Sequence, residues 1–276
     1  MRVAIKWAGL AAVMAILAPS LSAQWTRYPT PNVPKNAAGQ PDVNAPAPKT
    51  ADGKPDLSGV WRGGGAGRGR GAAADAPPPS GPPAAGFANV GQNIKDGLPL
   101  RPEYKTLADQ RRESGGKDNP EATCLPMGIM QFHTQGAPRK FIQTPDVLVI
   151  LYEASMGVRQ IFTDGREFPG NDPQPWWYGY SVGHWEGDTL VVVTKGLRDG
   201  EWLDIFGTPI TDAGTYTERF RRVSYGRMEI DVTVDDPKAY TAPWTVRVNQ
   251  RIMPEQELLE FVCNENNRYF VRDPKE

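Results

Sequence analysis

The chain has 276 residues with 31 basic and 32 acidic side chains, a formal net charge of -1. No global field draws such a protein to nucleic acid or to an anionic membrane, and neither is expected as a partner. Gly (29) and Pro (27) are abundant while apolar residues make up only 39%, which excludes a helical bundle and predicts one domain rich in loops and turns.

At the N-terminus, Arg2 and Lys6 are followed by an apolar run from Trp7 to Leu17 and then by Ala18-Pro-Ser-Leu-Ser-Ala23. This is the three-part pattern of a secretory signal, so residues 1–23 are expected to be removed and the protein to be periplasmic or secreted. The apolar run is about half the roughly 20 residues that a permanent membrane helix needs. An uncleaved anchor is the alternative. No other long apolar stretch follows, so no integral span is expected after signal removal.

Residues 24–55 are rich in Pro, Asn, Ala and Lys without apolar periodicity and read as an extended arm or disordered leader. A single domain is expected over residues 56–276, opening with the strand Asp56-Leu-Ser-Gly-Val-Trp-Arg62. It is interrupted at residues 63–86 by a Gly/Pro-rich insertion, read as a disordered linker because it cannot bury enough apolar surface to fold. Leu100 to Glu113 predicts a helix, with Pro102 in its first turn and Gly115-Gly116 as its stop.

From Lys140 onwards the pattern is alternation. Four hairpins are predicted in series, turning at Ser155-Met-Gly157, Glu186-Gly-Asp188, Ser224-Tyr-Gly226 and Met253-Pro-Glu255, the last of them ending in a strand from Glu257 to Cys263. Met228, Ile230, Val232 and Val234 share one face, as do Trp244, Val246, Val248 and Ile252. Val147 to Ile150 is apolar on both faces, which predicts a cover over that strand by the helix or a long loop. The fold class is therefore all-β, an antiparallel meander closing into a barrel of about eight to ten strands, because closure removes exposed edges. A two-sheet sandwich is the alternative.

Charges in phase with core residues mark where chemistry would sit, since a buried carboxylate is costly unless paired or protonated. Phe220 marks an inner face that Tyr216 and Glu218 share; parity groups Glu153 with Val149 and Leu151, and His184 with Tyr178, Tyr180 and Val182. Glu218, Glu153, His184 and Tyr216 form a candidate general acid-base set, against the alternative that Glu218 pairs structurally with an arginine. Trp176, Trp177, Tyr178 and Tyr180, with Arg166 nearby, form a candidate ligand-binding set for a flat, partly apolar molecule. The alternatives are a hydrophobic plug for the aromatic residues and an Asp164-Arg166 ion pair stapling a turn.

The two histidines, His133 and His184, show no ligand spacing, so no metal is expected. Gly63 to Gly71 lacks the Lys-Ser/Thr of a phosphate loop, and no cofactor is expected. Gly179-Tyr-Ser-Val-Gly183 matches the letters of a nucleophile elbow but falls inside a strand. An even pair of cysteines, Cys124 and Cys263, in an exported chain predicts a disulfide, with a metal pair or free thiols as alternatives.

Six segments, Asp52-Gly-Lys-Pro-Asp-Leu-Ser-Gly-Val-Trp61, Cys124-Leu-Pro-Met-Gly128, Asp164-Gly-Arg166, Ser181-Val-Gly-His-Trp-Glu-Gly-Asp-Thr-Leu-Val-Val192, Thr217-Glu-Arg219 and Cys263-Asn-Glu-Asn266, together resemble a family of exported bacterial proteins. The resemblance runs from about Asp52 to Asn266 and implies export and a β-rich fold, with no particular activity. Gly59-Val-Trp61 also resembles the lipocalin G-x-W, in which the tryptophan closes the barrel base; the long insertion after Trp61 departs from that pattern. The functional expectation is a small-molecule-binding protein with its ligand in the barrel pocket. The alternative is a cofactor-independent hydrolase, lyase or isomerase using that pocket.

Overall fold

The computed structural model describes residues 28–64, 81–170, 174–263 and 265. The signal-like segment and residues 65–80 of the insertion lie outside the described residues. Nine strands form one closed barrel in chain order: β1 (Gly59–Gly64), β2 (Pro138–Gln143), β3 (Val147–Tyr152), β4 (Val158–Phe162), β5 (Tyr180–Glu186), β6 (Thr189–Lys195), β7 (Thr215–Ser224), β8 (Arg227–Asp235) and β9 (Trp244–Ile252).

Closure follows from β1, which pairs antiparallel with β2 on one side and with β9 on the other, setting Trp61 opposite both Arg139 and Ile252. An odd number of strands cannot alternate direction all the way round a ring. One neighbour pair must therefore be parallel, and it is β4 with β5, joined at Ile161–Ser181 and Phe162–Val182 after the long excursion that follows Phe162. The first three expected hairpins are present. The fourth is not: Glu257 to Cys263 is no strand, because β8 and β1 already occupy both edges of β9. That segment instead runs outside the barrel, where Lys140 pairs with Glu257 at 2.6 Å and Leu259 N donates to Glu153.

The inner faces of β7, β8 and β9 are those the alternation predicts. Tyr216, Glu218, Phe220, Met228, Ile230, Val232, Val234, Val246 and Val248 are all buried. The predicted helix is α1 (Pro102–Glu113), with Glu103 in its first turn, Arg111 and Arg112 in its last, and Gly115 and Gly116 at positive φ receiving its end. It does not cover β3. Arg111 lies over Trp202 and Arg101 N bonds Ala239 O, which places α1 at the barrel end formed by the β6–β7 and β8–β9 connections. A second helix, α2 (Ile129–Thr134), was not foreseen, and all six of its residues are buried.

Residues 28–55 lie as an arm along the barrel, where Tyr225 N and Gly226 N bond Ala45 O and Val43 O. The arm repeats itself: Pro34-Lys-Asn-Ala-Ala-Gly-Gln-Pro-Asp42 and Pro48-Lys-Thr-Ala-Asp-Gly-Lys-Pro-Asp56 fold into the same turn. Asn36 N bonds Gln40 O as Thr50 N bonds Lys54 O; Asp42 N bonds Pro34 O as Asp56 N bonds Pro48 O. The carboxylates of Asp42 and Asp56 then accept from Asn44 N and Ser58 N. The edges of the insertion are also ordered, contrary to a linker over 63–86. Gly63 and Gly64 end β1, and Ala85 N bonds Arg247 O beside β9, because the backbone groups of Pro83 and Ala85 reach those of Arg247.

Cys124 and Cys263 form a disulfide with Cα atoms 5.7 Å apart, tying the loop before α2 to the C-terminal segment. At a sequence separation of 139 residues, the chain-entropy contribution is about 5 kcal/mol at most.

Gly63 passes so close to the end of α2 that a Cβ there would stand 2.2 Å from Gln135 O. Gly63→Ala is expected to destabilise the protein by about 1–3 kcal/mol through overpacking, read as a lower urea midpoint with an unchanged slope.

Candidate functional site

Four strands and α2 contribute to a polar cluster inside the barrel. Glu218 on β7 is fully buried and accepts from both terminal nitrogens of Arg159 on β4. Arg159 also donates to Ser181 on β5 and Thr194 on β6. From α2, His133 Nε2 reaches Glu218 Oε1 at 2.6 Å. Burial alone would raise the Glu218 pKa, but Arg159 and His133 outweigh it and hold the carboxyl down to about 2. Burial lowers the His133 pKa more than Glu218 raises it, so the imidazole is neutral and the network assigns its proton to Nε2.

Both ends of α2 are held as an exposed helix end would be by solvent. At its N-terminus, Glu201 Oε1 accepts from Ile129 N at 3.0 Å and from Tyr216 OH at 2.9 Å. Gly128 is required there, since a Cβ would meet Glu201 and Trp202 O within 2.6 Å. At its C-terminus, Arg139 donates to His133 O, Gln135 O and Ala137 O, and Gln250 Nε2 donates to His133 O. These bonds satisfy carbonyls that the helix leaves unpaired. Burial raises the Glu201 pKa to about 7, with Tyr216 and Ile129 N opposing the shift. Burial likewise lowers Arg139 to about 10.

The candidate acid-base set is not brought together. Tyr216 and Glu218 face inward as expected, but Glu153 and His184 lie on the outer face. Glu153 follows Tyr152, whose inward parity is shared by Leu148 and Ile150. His184 is exposed and pairs with Glu186, which in turn pairs with Arg219. On β5 the inward residues are Ser181 and Gly183, the reverse of what its aromatic positions suggest. Arg159, in phase with the buried Ile161, was legible as an inward charge. His133 was not, because no periodic pattern marks a six-residue helix.

The candidate ligand-binding set also divides. Trp176 and Tyr180 join Phe162 and Phe168 in a ring cluster on the outer wall, with Arg166 over Phe162. Arg166 pairs with Asp164 at 2.6 Å, the turn-stapling arrangement. Trp177 stacks separately under Arg198, while Tyr178 turns toward the plug and packs on Phe132 of α2. No group of three His, Cys, Asp or Glu side chains able to hold a metal occurs among the described residues.

The lumen has little room for a ligand as it stands. Phe132 stacks on Tyr152 at 4.0 Å and Phe220 touches both His133 and Phe141. A groove of about 480 Å³ lies instead at the opposite end of the barrel, between the arm and the strands. Its floor is Arg222 of β7, nearly buried, between Trp61 at 4.8 Å and Tyr225 at 5.3 Å. Val60, Ile252 and Met253 form an apolar wall, Tyr28 and Pro48 come from the arm, and Lys140 and Glu257 stand at the rim. A depression of about 540 Å³ beside α1 is lined mainly by polar side chains such as Gln110, Arg111, Lys117 and Asp118.

Comparison with known protein families, curated proteins and solved structures finds no match to this chain.

The two buried carboxyls have opposite effects on stability with pH. Glu218, depressed from 4.5 to about 2, contributes stability above pH 4.5 that is lost as pH falls toward 2. Glu201, raised from 4.5 to about 7, contributes stability below pH 4.5 that is lost as pH rises through 7. Each is worth about 3 kcal/mol at 1.36 kcal/mol per unit. Urea titrations from pH 4 to 8 are expected to show Glu201→Gln gaining on the parent protein as pH rises, with the difference levelling above pH 7. Glu218→Gln, which leaves Arg159 without its charge partner, is expected to cost about 3–5 kcal/mol at neutral pH.

Proposed function

We propose that this chain is an exported binding protein that takes a small, partly apolar molecule into the groove between its arm and its barrel. The observation that carries the reading is the groove itself. Its volume of about 480 Å³ falls in the range of small-molecule sites, and mostly apolar walls with a few convergent polar groups are what such sites share. The expected location in the barrel pocket is replaced by this one because α2 and its polar partners occupy the lumen. Export is supported by the signal-like segment and by the disulfide. No helix among the described residues is long and apolar enough to cross a membrane.

A second reading has one observation in its favour. His133 Nδ1 has no hydrogen-bond partner while Nε2 is oriented by Glu218, the arrangement of a base with its orienter. In an enzyme of this kind His133 takes the place that the sequence assigned to His184. Such an enzyme requires α2 to move, since His133 is fully buried.

Native mass spectrometry after a soak in a metabolite extract separates the readings. A binder retains an unchanged ligand, and Gln256→Trp, which fills the groove from an exposed position, abolishes retention. Depletion of a metabolite with release of a product at sub-stoichiometric protein, unaffected by Gln256→Trp, would transfer the function to the interior.

A further inference from the structure

One wall of the groove is not part of the barrel. Met253, Pro254, Gln256 and Glu257 line it, and they belong to the segment 253–263, which leaves β9 at the groove end and reaches Cys263 without forming a strand or a helix. The segment passes Lys140 on β2 and Glu153 after β3, and ends at the disulfide with Cys124 beside the loop that leads into α2. It is a strap along the outside of the barrel, held at one end by the continuous chain and at the other by one covalent bond.

Between those ends the strap is not anchored in the core. Leu259, Phe261 and Val262 are 52%, 42% and 50% exposed. Met253 N bonds Val60 O at 2.7 Å and Glu255 N bonds Thr30 Oγ1 of the arm at 2.8 Å, both close to β9. Further along, Glu257 pairs with Lys140 at 2.6 Å and Leu259 N donates to Glu153 Oε2 at 2.9 Å. The two side chains of that ion pair are 34% and 39% exposed, and pairs so open to water stabilise little. With both ends fixed, an opened strap gains little freedom and weak contacts suffice to close it; with one end released, the same contacts must hold a free end.

The barrel is complete without the strap. Both edges of β9 are already paired, to β8 and to β1. The helix α2, which follows the Cys124 loop, is seated by Glu218, Glu201 and Arg139. Cys124 and Cys263 are themselves half-buried, and the helical turn Pro120–Thr123 before Cys124 has no buried residue, so a reductant reaches the bridge with the barrel folded.

Resting on the groove as the ligand site, we infer that the Cys124–Cys263 disulfide is a redox latch on that site: its reduction by a dithiol frees the strap and removes the wall of Met253, Pro254, Gln256 and Glu257 while the barrel stays folded. A thiolate of the dithiol attacks one sulfur of the bridge, the S–S bond breaks as a mixed disulfide forms, and the second thiol of the reductant resolves it. The two electrons and two protons that end on Cys124 and Cys263 come from the dithiol, which leaves as its own disulfide.

Amide hydrogen exchange of the full mature chain, oxidised and after dithiothreitol under native conditions, tests the release. Exchange across residues 255–263 is expected to speed up at least about tenfold on reduction, the effect of freeing one end of a short closed segment, while β7, β8 and β9 keep their protection. The double variant Cys124→Ser, Cys263→Ser is expected to exchange like the reduced protein and to ignore dithiothreitol. Because dithiothreitol acts on protein that is already folded, its effect carries the test independently where the double variant fails to fold. Unchanged exchange in the strap overturns the latch. So does loss of protection throughout the barrel strands, which makes the disulfide a staple of the whole fold. Neither outcome touches the groove reading. Native mass spectrometry after the metabolite-extract soak then reads the consequence for binding, and retention is expected to fall at least about tenfold on reduction. Equal retention by both forms, abolished by Gln256→Trp, keeps the groove and overturns the latch. Retention by neither form removes the groove reading and the latch with it, however fast the strap exchanges.

Discussion

The carboxylate of Glu218 receives hydrogen bonds from Arg159 on the barrel wall and from His133 on α2, and so couples the sheet to the helix that fills it. Neither partner would be tolerable alone. Arg159 without Glu218 is a desolvated cation, and Glu218 without Arg159 would be driven to its neutral form. The pair in turn fixes His133 as a neutral donor through Nε2. Around this centre α2 has a carboxyl group accepting at its N-terminal end, Glu201, and a cation donating at its C-terminal end, Arg139, in the sense that the helix dipole favours. A helix of six residues has almost no intrinsic stability. Its conformation is imposed by these contacts and by Phe132 against Tyr152.

The two ends of the barrel solve different problems. At one end α2, α1 and the β6–β7 connection close the lumen with side chains that fill it. At the other, the arm crosses the opening and is held through main-chain groups: Arg222 bonds Asp56 O and Ser58 O, and Tyr225 N and Gly226 N bond Ala45 O and Val43 O. Trp61 lies fully buried beneath Arg222, with its indole nitrogen donating to Leu57 O. An arm tied through its backbone leaves side chains such as Tyr28 and Pro48 to line a groove, while Lys49 beside them pairs with Asp188 at 3.6 Å.

Much of the barrel was legible because half-buried antiparallel strands write their faces into the sequence with period two. Residues 228–234 and 244–248 could be assigned without ambiguity. Legibility failed where that period carries no information. β3 is apolar on both faces, so its parity, and with it the position of Glu153, was open. β5 directs Tyr180 outward into a ring cluster and Ser181 inward to Arg159, because a buried arginine needs a hydroxyl more than the core needs a ring. The absent fourth hairpin has a topological cause: β1, nearly two hundred residues earlier than β9 in the chain, takes the edge that a following strand would use. Glu218 and Tyr216 were found by parity alone, whereas their partners His133 and Glu201 come from a short helix and a connection with no period to read.

A lumen filled by polar as well as apolar groups has a consequence for how binding and folding relate. Among the described residues, three buried polar atoms, His133 Nδ1, Arg139 Nε and Gln250 Oε1, have no hydrogen-bond partner, and they sit on residues that meet around the C-terminal end of α2. Unsatisfied groups of this kind subtract from stability, so the interior is not optimised for stability alone. What the polar contacts provide is a single seating for α2, since a rotated or shifted helix would break the bond from His133 to Glu218 and both end contacts at once. An apolar plug would have no such penalty for slipping. The groove at the opposite end of the barrel shares no residue with this cluster, so a ligand there, on the reading proposed above, makes no demand on the seating of α2.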